Sequence, residues 1–177
     1  CIGVGGIGKH DRVQIAQHPK VEIVAICDID GQKLEEAAQD YPSARKYTDW
    51  RDLLNGEADR IDSVNVSVPD HMHAPITMTA LRNGKHVYCE KPLCHNVAEV
   101  RAITEAARQS GRVTQLGTQG ASGIGDRMAV HWLREGVIGK IKHVYLASNR
   151  PGAIKNYRLP GPRPAAGETP PSHLAWD

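Results

Sequence analysis

The stretch Cys1-Ile2-Gly3-Val4-Gly5-Gly6-Ile7-Gly8 decides the fold. It leaves a short apolar run, carries glycines at G-x-G-x-x-G spacing, and continues into residues of helical period that must stop before Pro19. Asp28 follows 20 positions beyond Gly8, at the end of the apolar run Val21-Glu22-Ile23-Val24-Ala25-Ile26-Cys27. Each part has a physical task. Gly3 permits a tight turn, Gly5 lets the backbone approach a diphosphate, and Gly8 lets the next helix pack closely on its strand. Gly6 and Ile7 fall where a helix opens, with free N–H groups and a positive dipole end turned toward phosphate. The unit predicts a dinucleotide site in which Asp28 accepts hydrogen bonds from the adenosine ribose hydroxyls. A carboxylate there repels a 2′-phosphate, and no Lys or Arg follows until Lys33, so NAD is favoured over NADP.

Outward from this unit, short β-rich runs alternate with helical stretches. The runs fall at 1–4, 21–27, 45–47, 61–68, 86–89 and 112–116. Helices are predicted at 31–39, from a Thr48 cap to Asn55-Gly56, from a first turn holding Pro75 to Asn83-Gly84, at 97–109 and at 126–135. The helix at 97–109 has the clearest start: Asn96 can cap it, and Glu99 completes a capping box. Strands alternating with helices imply βαβ units, hence an α/β fold with a doubly wound parallel sheet and helices on both faces. Residues 141–148 read as one further strand, half-buried by their charge pattern. Six of the eleven prolines lie among the last 27 residues, which therefore read as loop or linker. The expected division is a dinucleotide-binding domain over 1–139 and, over 140–177, the opening strand and linker of a truncated α+β second domain. The chain is expected to be a piece of a longer protein, because it begins inside a strand and stops after a loop.

Composition narrows the function classes. With 177 residues, 40% hydrophobic and 24% charged, the chain is in the globular range and about one domain long. Phe is absent, so the core must come from Val, Ile, Leu and Ala. A net charge of +2 without a long basic run argues against nucleic acid, and no run of 18 apolar residues exists to cross a membrane. Cys1, Cys27, Cys89 and Cys94 lack metal-ligand spacing, and two of them fall inside strands. No metal is expected. Buried thiols in a reducing, cytoplasmic setting are the expectation.

Glu90-Lys91-Pro92 stands just past the carboxyl end of the run at 86–89, where ligands bind in open α/β sheets. Most lysines lie on solvated helix faces. Here Pro92 restricts the Lys91 backbone, and a cis Lys91–Pro92 bond would aim the side chain inward.

With these residues the sequence resembles the glucose–fructose oxidoreductase / inositol dehydrogenase (Gfo/Idh/MocA) family. The resemblance rests on the Gly3–Gly8 turn, Asp28, Val66-Ser67-Val68-Pro69-Asp70-His71-Met72-His73, and Gly84-Lys85-His86-Val87-Tyr88-Cys89-Glu90-Lys91-Pro92-Leu93. It extends to about residue 150 and implies an N-terminal Rossmann domain, a second α/β domain, a nicotinamide cofactor and a sugar-, inositol- or polyol-like substrate. It also implies a homo-oligomer for the complete protein. By the same resemblance Lys91 bonds the reacting oxygen and helps its proton move, and Glu90 bonds the cofactor ribose or orients the site. Ser67, Pro69, Asp70 and His73 line the nicotinamide half, with Asp70 where many members carry Asn, and Gln119 faces the cofactor amide. Members complete the site with an Asp or His pair from the second domain, and no such motif is seen in this chain. Two other functions stay open on the residues: an NAD-dependent glycosidase of the same family and a non-catalytic dinucleotide sensor. Trp50, Met78 and Met128 are expected in the core and His131 in packing, whereas Arg150, Arg158 and Arg163 are expected to face water.

Overall fold

The computed structural model describes residues 1–146 and 171–175. Two compact units are present, Cys1–Thr118 with Pro171–Asp177, and Gln119–Pro170.

In the first unit the order is α1 (Gly6–Ala16), β1 (Ala25–Cys27), α2 (Gly31–Asp40), β2 (Arg45–Tyr47), α3 (Trp50–Gly56), β3 (Ser63–Val66), α4 (Asp70–Arg82), β4 (His86–Glu90), α5 (Val97–Ser110) and β5 (Thr114–Gly117). All strand pairs are parallel: β1 with β2, β3 with β4, and β4 with β5. Residues 1–4 join the two sets. The Ile2 N–H donates to Asn65 O at 2.8 Å and the Ser67 N–H to Ile2 O at 2.9 Å. On the other edge the Gly3 N–H donates to Cys27 O at 2.8 Å and the Cys27 N–H to Cys1 O at 2.9 Å. The spatial order is therefore β2, β1, residues 1–4, β3, β4, β5, with its reversal at residues 1–4. That is the doubly wound order, and its switch point lies where the glycine turn emerges.

The sheet is buried on both faces, as the unbroken apolar runs predict. Ala25 and Cys27 pack with Leu53, Leu54, Ile76, Leu81 and Ile103, while Ile26 packs on the opposite side with Val4, Leu34 and Ala37. Trp50 and Met78 are partly buried against the first cluster. All four cysteines are free. Burial pushes the Cys27 thiol up to about 12 and Cys89 up to about 11, so both stay protonated near neutrality. Among the described residues no helix is long and apolar enough to cross a membrane.

Several local expectations are corrected. The cap of α3 is Asp49, whose carboxylate accepts the Arg51 N–H at 2.7 Å, not Thr48. An acid outranks Thr as a cap because its ionised oxygen is the stronger acceptor. The second unit contains α6 (Gln119–Ser122) and α7 (Ile124–Arg134). No residue of α7 is buried: Met128 is 41% exposed, and His131 is exposed too. The expected strand at 141–148 is absent over its described part, 141–146. A strand is a pairing, and no described backbone pairs with these residues. His143 belongs to that exposed run. Arg150, Arg158 and Arg163 lie outside the described residues.

Candidate functional site

The glycine turn is shaped by close backbone approach. Gly3 has φ +80°, and a Cβ there would overlap the Ser67 carbonyl group, 2.6 Å from its carbon. A Cβ on Gly8 would overlap the Gly3 carbonyl and stand 3.2 Å from Ser67 Cβ. Gly3 and Gly8 thus let α1 and the end of β3 close on the turn. A Cβ on Gly6, at φ +50°, would meet nothing within 4 Å, so the outer side of the turn is open. Ile7 is 45% exposed beside it. Gly5 is flanked by the Lys33 stem, 3.3 Å from the place of a Cβ.

Of the five helices of this unit, α1 and α4 start without a side-chain cap. Asp30, Asp49 and Asn96 cap α2, α3 and α5 with their side chains. The start of α1, with Gly5 at the cap, has no side-chain cap. The Gly8 N–H donates back to Gly5 O at 2.9 Å, and a helix start with no side chain on its leading amides suits a diphosphate.

Asp28 is fixed beside that turn. Its Oδ2 accepts the Val4 N–H at 2.8 Å and its Oδ1 accepts the Asp30 N–H at 3.0 Å. Each carboxylate oxygen keeps further acceptor capacity for a ribose diol. From below, Arg12 steadies the turn. It is buried, its Nε donates to Val4 O at 3.5 Å, and it pairs with Asp40 at 2.7 Å. Its guanidinium also lies 5.2 Å from the Tyr41 ring centroid.

The loops after β3 and β4 supply the other residues. Ser67 is buried, and its hydroxyl donates to Asp11 Oδ2 at 2.7 Å, so the side chain ties β3 to α1. Pro69 and Asp70 are exposed at the start of α4. His73 is 1% exposed, with Nδ1 2.5 Å from Pro92 O and Nε2 2.8 Å from Val68 O. It bridges the two loops, and whichever nitrogen carries the proton donates to one of these carbonyls. Glu90 is buried over Gly117: a Cβ there would stand 2.8 Å from the Glu90 Cδ. Its Oε1 accepts from the Tyr88 hydroxyl at 3.1 Å and its Oε2 from the Lys91 N–H at 3.3 Å. Burial, with the charges of Asp11 and Glu90 adding to it, pushes the Tyr88 phenol up to about 12 and keeps it a donor. Lys91 is exposed, and the Lys91–Pro92 bond is cis. Among the described residues no carboxylate pairs with the Lys91 ammonium. Gln119 opens α6 in the second unit.

The structure thus brings Gly3, Gly5, Gly6, Ile7, Gly8, Asp28, Pro69, Asp70, Glu90 and Lys91 to one edge of the sheet, at the carboxyl ends of its strands. Ser67 and His73 stand behind them as supports. Sequence reading missed Asp11 and Asp30, which hold Ser67 and Asp28 in place. Their only signal was an acid in the second turn of α1 and one at the cap of α2. The residues fit a nicotinamide dinucleotide: an open, uncapped glycine turn for diphosphate and a backbone-held carboxylate for the ribose. A separate cavity among the described residues lies at the opposite, amino ends of the strands, lined by Val24, Ser63, His86 and Val113, and holds none of these groups.

Comparison with known proteins agrees with this geometry. The family model described as oxidoreductase family, NAD-binding Rossmann fold (Gfo/Idh/MocA) matches residues 1–118. The chain is 28% identical over 162 residues to inositol 2-dehydrogenase of Salmonella typhimurium, covering 90% of this chain and 48% of that protein. It is 32% identical over 151 residues to a glycosyl hydrolase family 109 protein of Shewanella pealeana, covering 80% and 33%. Myo-inositol 2-dehydrogenase from Lactobacillus plantarum superposes with a TM-score of 0.73 at 29% identity, over 79% of this chain and 41% of that one. The chain therefore spans between a third and a half of the length of the curated relatives it matches. By its glycine turn, strand order and matched residues, the chain belongs to the Gfo/Idh/MocA oxidoreductase family with its NAD-binding Rossmann fold.

Proposed function

We propose that this chain is the cofactor-binding part of an NAD-dependent oxidoreductase acting on a CH–OH group of a sugar-, inositol- or polyol-like substrate. The observation that carries the reading is the placing of Lys91 at the same carboxyl edge as the glycine turn and Asp28, with no described carboxylate pairing its ammonium. Asp28 supports NAD over NADP, because a 2′-phosphate would face its carboxylate. The nearby Lys33 ammonium is engaged by Glu36 at 3.1 Å.

A nicotinamide held here would supply the acceptor or donor of the hydride. The chain's residues do the rest. The start of α1 holds the diphosphate, and Asp28 holds the adenosine ribose. The Lys91 ammonium bonds the reacting oxygen and moves its proton. Glu90 accepts the Lys91 N–H and fixes the backbone from which that side chain springs. His73 lies between the Val68 and Pro92 carbonyls and donates to one of them, which links the loops after β3 and β4. Pro69, Asp70 and Gln119 are assigned to the nicotinamide half. The division into a dinucleotide domain over 1–139 and the start of a second domain from 140 belongs to the same proposal.

The family 109 relative favours one alternative, a glycosidase in which transient oxidation of a sugar enables elimination. Assaying the complete protein on polyols and aryl glycosides, with NAD and with NADP, separates the readings. Net NADH formation from a polyol supports the dehydrogenase. Release of the aryl group with no net NADH supports the glycosidase. Equal use of NADP refutes the assignment of Asp28.

A further inference from the structure

Residues 171–175 lie far outside the family match, yet they return to the first unit beside Asp28. The Gly31 N–H donates to His173 O at 2.7 Å, and the Ala175 N–H donates to Ile29 O at 2.8 Å. Asp30 and Leu174 form an antiparallel bridge between these two bonds. A turn shapes the segment, with the Leu174 N–H on Pro171 O at 3.0 Å. Position 31 is built for the approach: a Cβ there would stand 3.2 Å from His173 O, tighter than ordinary contact. His173 and Leu174 are half-buried.

The backbone so clamped is the loop that orients Asp28. Asp30 has three tasks in it. Its N–H holds Asp28 Oδ1, its carboxylate caps α2 at the Gln32 and Lys33 N–H groups, and its backbone bridges Leu174. With Gly31 N–H on His173, the first amides of α2 are all engaged, so none is left to draw the Asp28 carboxylate away from a ribose.

We propose that residues 171–175 are a positioning strand of the adenosine-binding half, holding loop 28–31 so that the Asp28 carboxylate meets the ribose diol. The proposal rests on the dinucleotide reading above. Thermodynamic linkage makes the coupling reciprocal: adenosine binding must tighten the strand by the factor that the strand tightens binding.

ADP-ribose, which lacks the nicotinamide, isolates this half, and calorimetry on the 177-residue chain measures it. Ala175→Pro removes the donor to Ile29 O, while Ala175→Val keeps it. Proline also favours an extended preceding residue, which Leu174 already is in its bridge. Ala175→Pro should weaken ADP-ribose about 3–10-fold, the scale of one backbone hydrogen bond, with Ala175→Val close to wild type. In unmodified protein, ADP-ribose should slow hydrogen exchange at the Gly31 and Ala175 amides, a result independent of whether the proline variant folds. Wild-type affinity in a folded Ala175→Pro, or no slowing at these amides with ADP-ribose bound, overturns the strand's role and leaves the dinucleotide reading intact. Failure of the wild-type chain to bind ADP-ribose or NAD overturns the dinucleotide reading and the proposal together.

Discussion

Replacing Gly8 by Ala sets two local effects against each other. Gly8 lies inside α1, where alanine is the better helix former by about 1 kcal/mol. On propensity alone the variant gains stability. The packing opposes this. The new Cβ would overlap the Gly3 carbonyl, 2.9 Å from its carbon, and press on Ser67 Cβ at 3.2 Å. Neither neighbour is the end of a flexible side chain. Gly3 is fixed by its bond to Cys27 O, and Ser67 by its backbone bond to Ile2 O and its hydroxyl bond to Asp11. The start of α1 must therefore withdraw by about 1 Å to recover ordinary contact. That movement stretches the Ser67–Asp11 bond, a charge-assisted bond worth about 1.5–3 kcal/mol, and overpacking adds about 1–3 kcal/mol. After the helix gain, a net loss of about 1.5–5 kcal/mol is expected. Urea unfolding followed by circular dichroism measures it as a lower midpoint at unchanged slope. Gly6→Ala is the control, since its Cβ enters open space and the cost is only that of its positive φ, about 1 kcal/mol. A Gly8→Ala protein as stable as wild type would refute the close-approach account of the turn.

Asp28→Ala should weaken NAD by about 1–3 kcal/mol, the loss of charge-assisted bonds to the ribose, as read by calorimetry; equal affinity removes Asp28 from the site. In the complete protein Lys91→Met should cut turnover on the order of 10²–10⁴-fold with NAD affinity little changed, and Lys91→Arg should not restore it. Near wild-type turnover in Lys91→Met would leave Lys91 a structural residue. His73→Phe should cost about 1–3 kcal/mol of stability by leaving a buried carbonyl without its donor, and an unchanged urea midpoint would show that His73 bridges nothing. Stability should also fall as pH rises above about 9, the range in which unfolded thiols ionise. Cys27, Cys89 and Tyr88 have raised folded values of about 12, 11 and 12, so the unfolded chain releases these protons first and binds fewer. The contribution is fully present below the unfolded values and is lost toward the folded ones. A flat stability between pH 8 and 10.5 would contradict this burial.

The sequence by itself determined whatever depends on near neighbours in the chain. The glycine spacing, the apolar runs of the sheet, the Asn96 cap with Glu99 three residues on, and the stop at Gly111 are local, because steric limits and capping act over a few residues. So the parallel fold and the glycine turn were legible, and so was the place of Lys91, since a strand and the Pro92 after it define that position. Only tertiary structure decided which distant groups meet. Ser67 finds Asp11 across 56 positions, and Arg12 finds Asp40 across 28, burying charges that a linear reading assigns to solvent or ligand. Residues 141–146 carry a strand pattern without a partner, and a strand has no energy of its own until another backbone takes its hydrogen bonds. The opposite error lay at 171–175, where proline-rich composition reads as linker. There a few backbone groups close an antiparallel contact on loop 28–31, and backbone pairing needs no particular side chain to announce it.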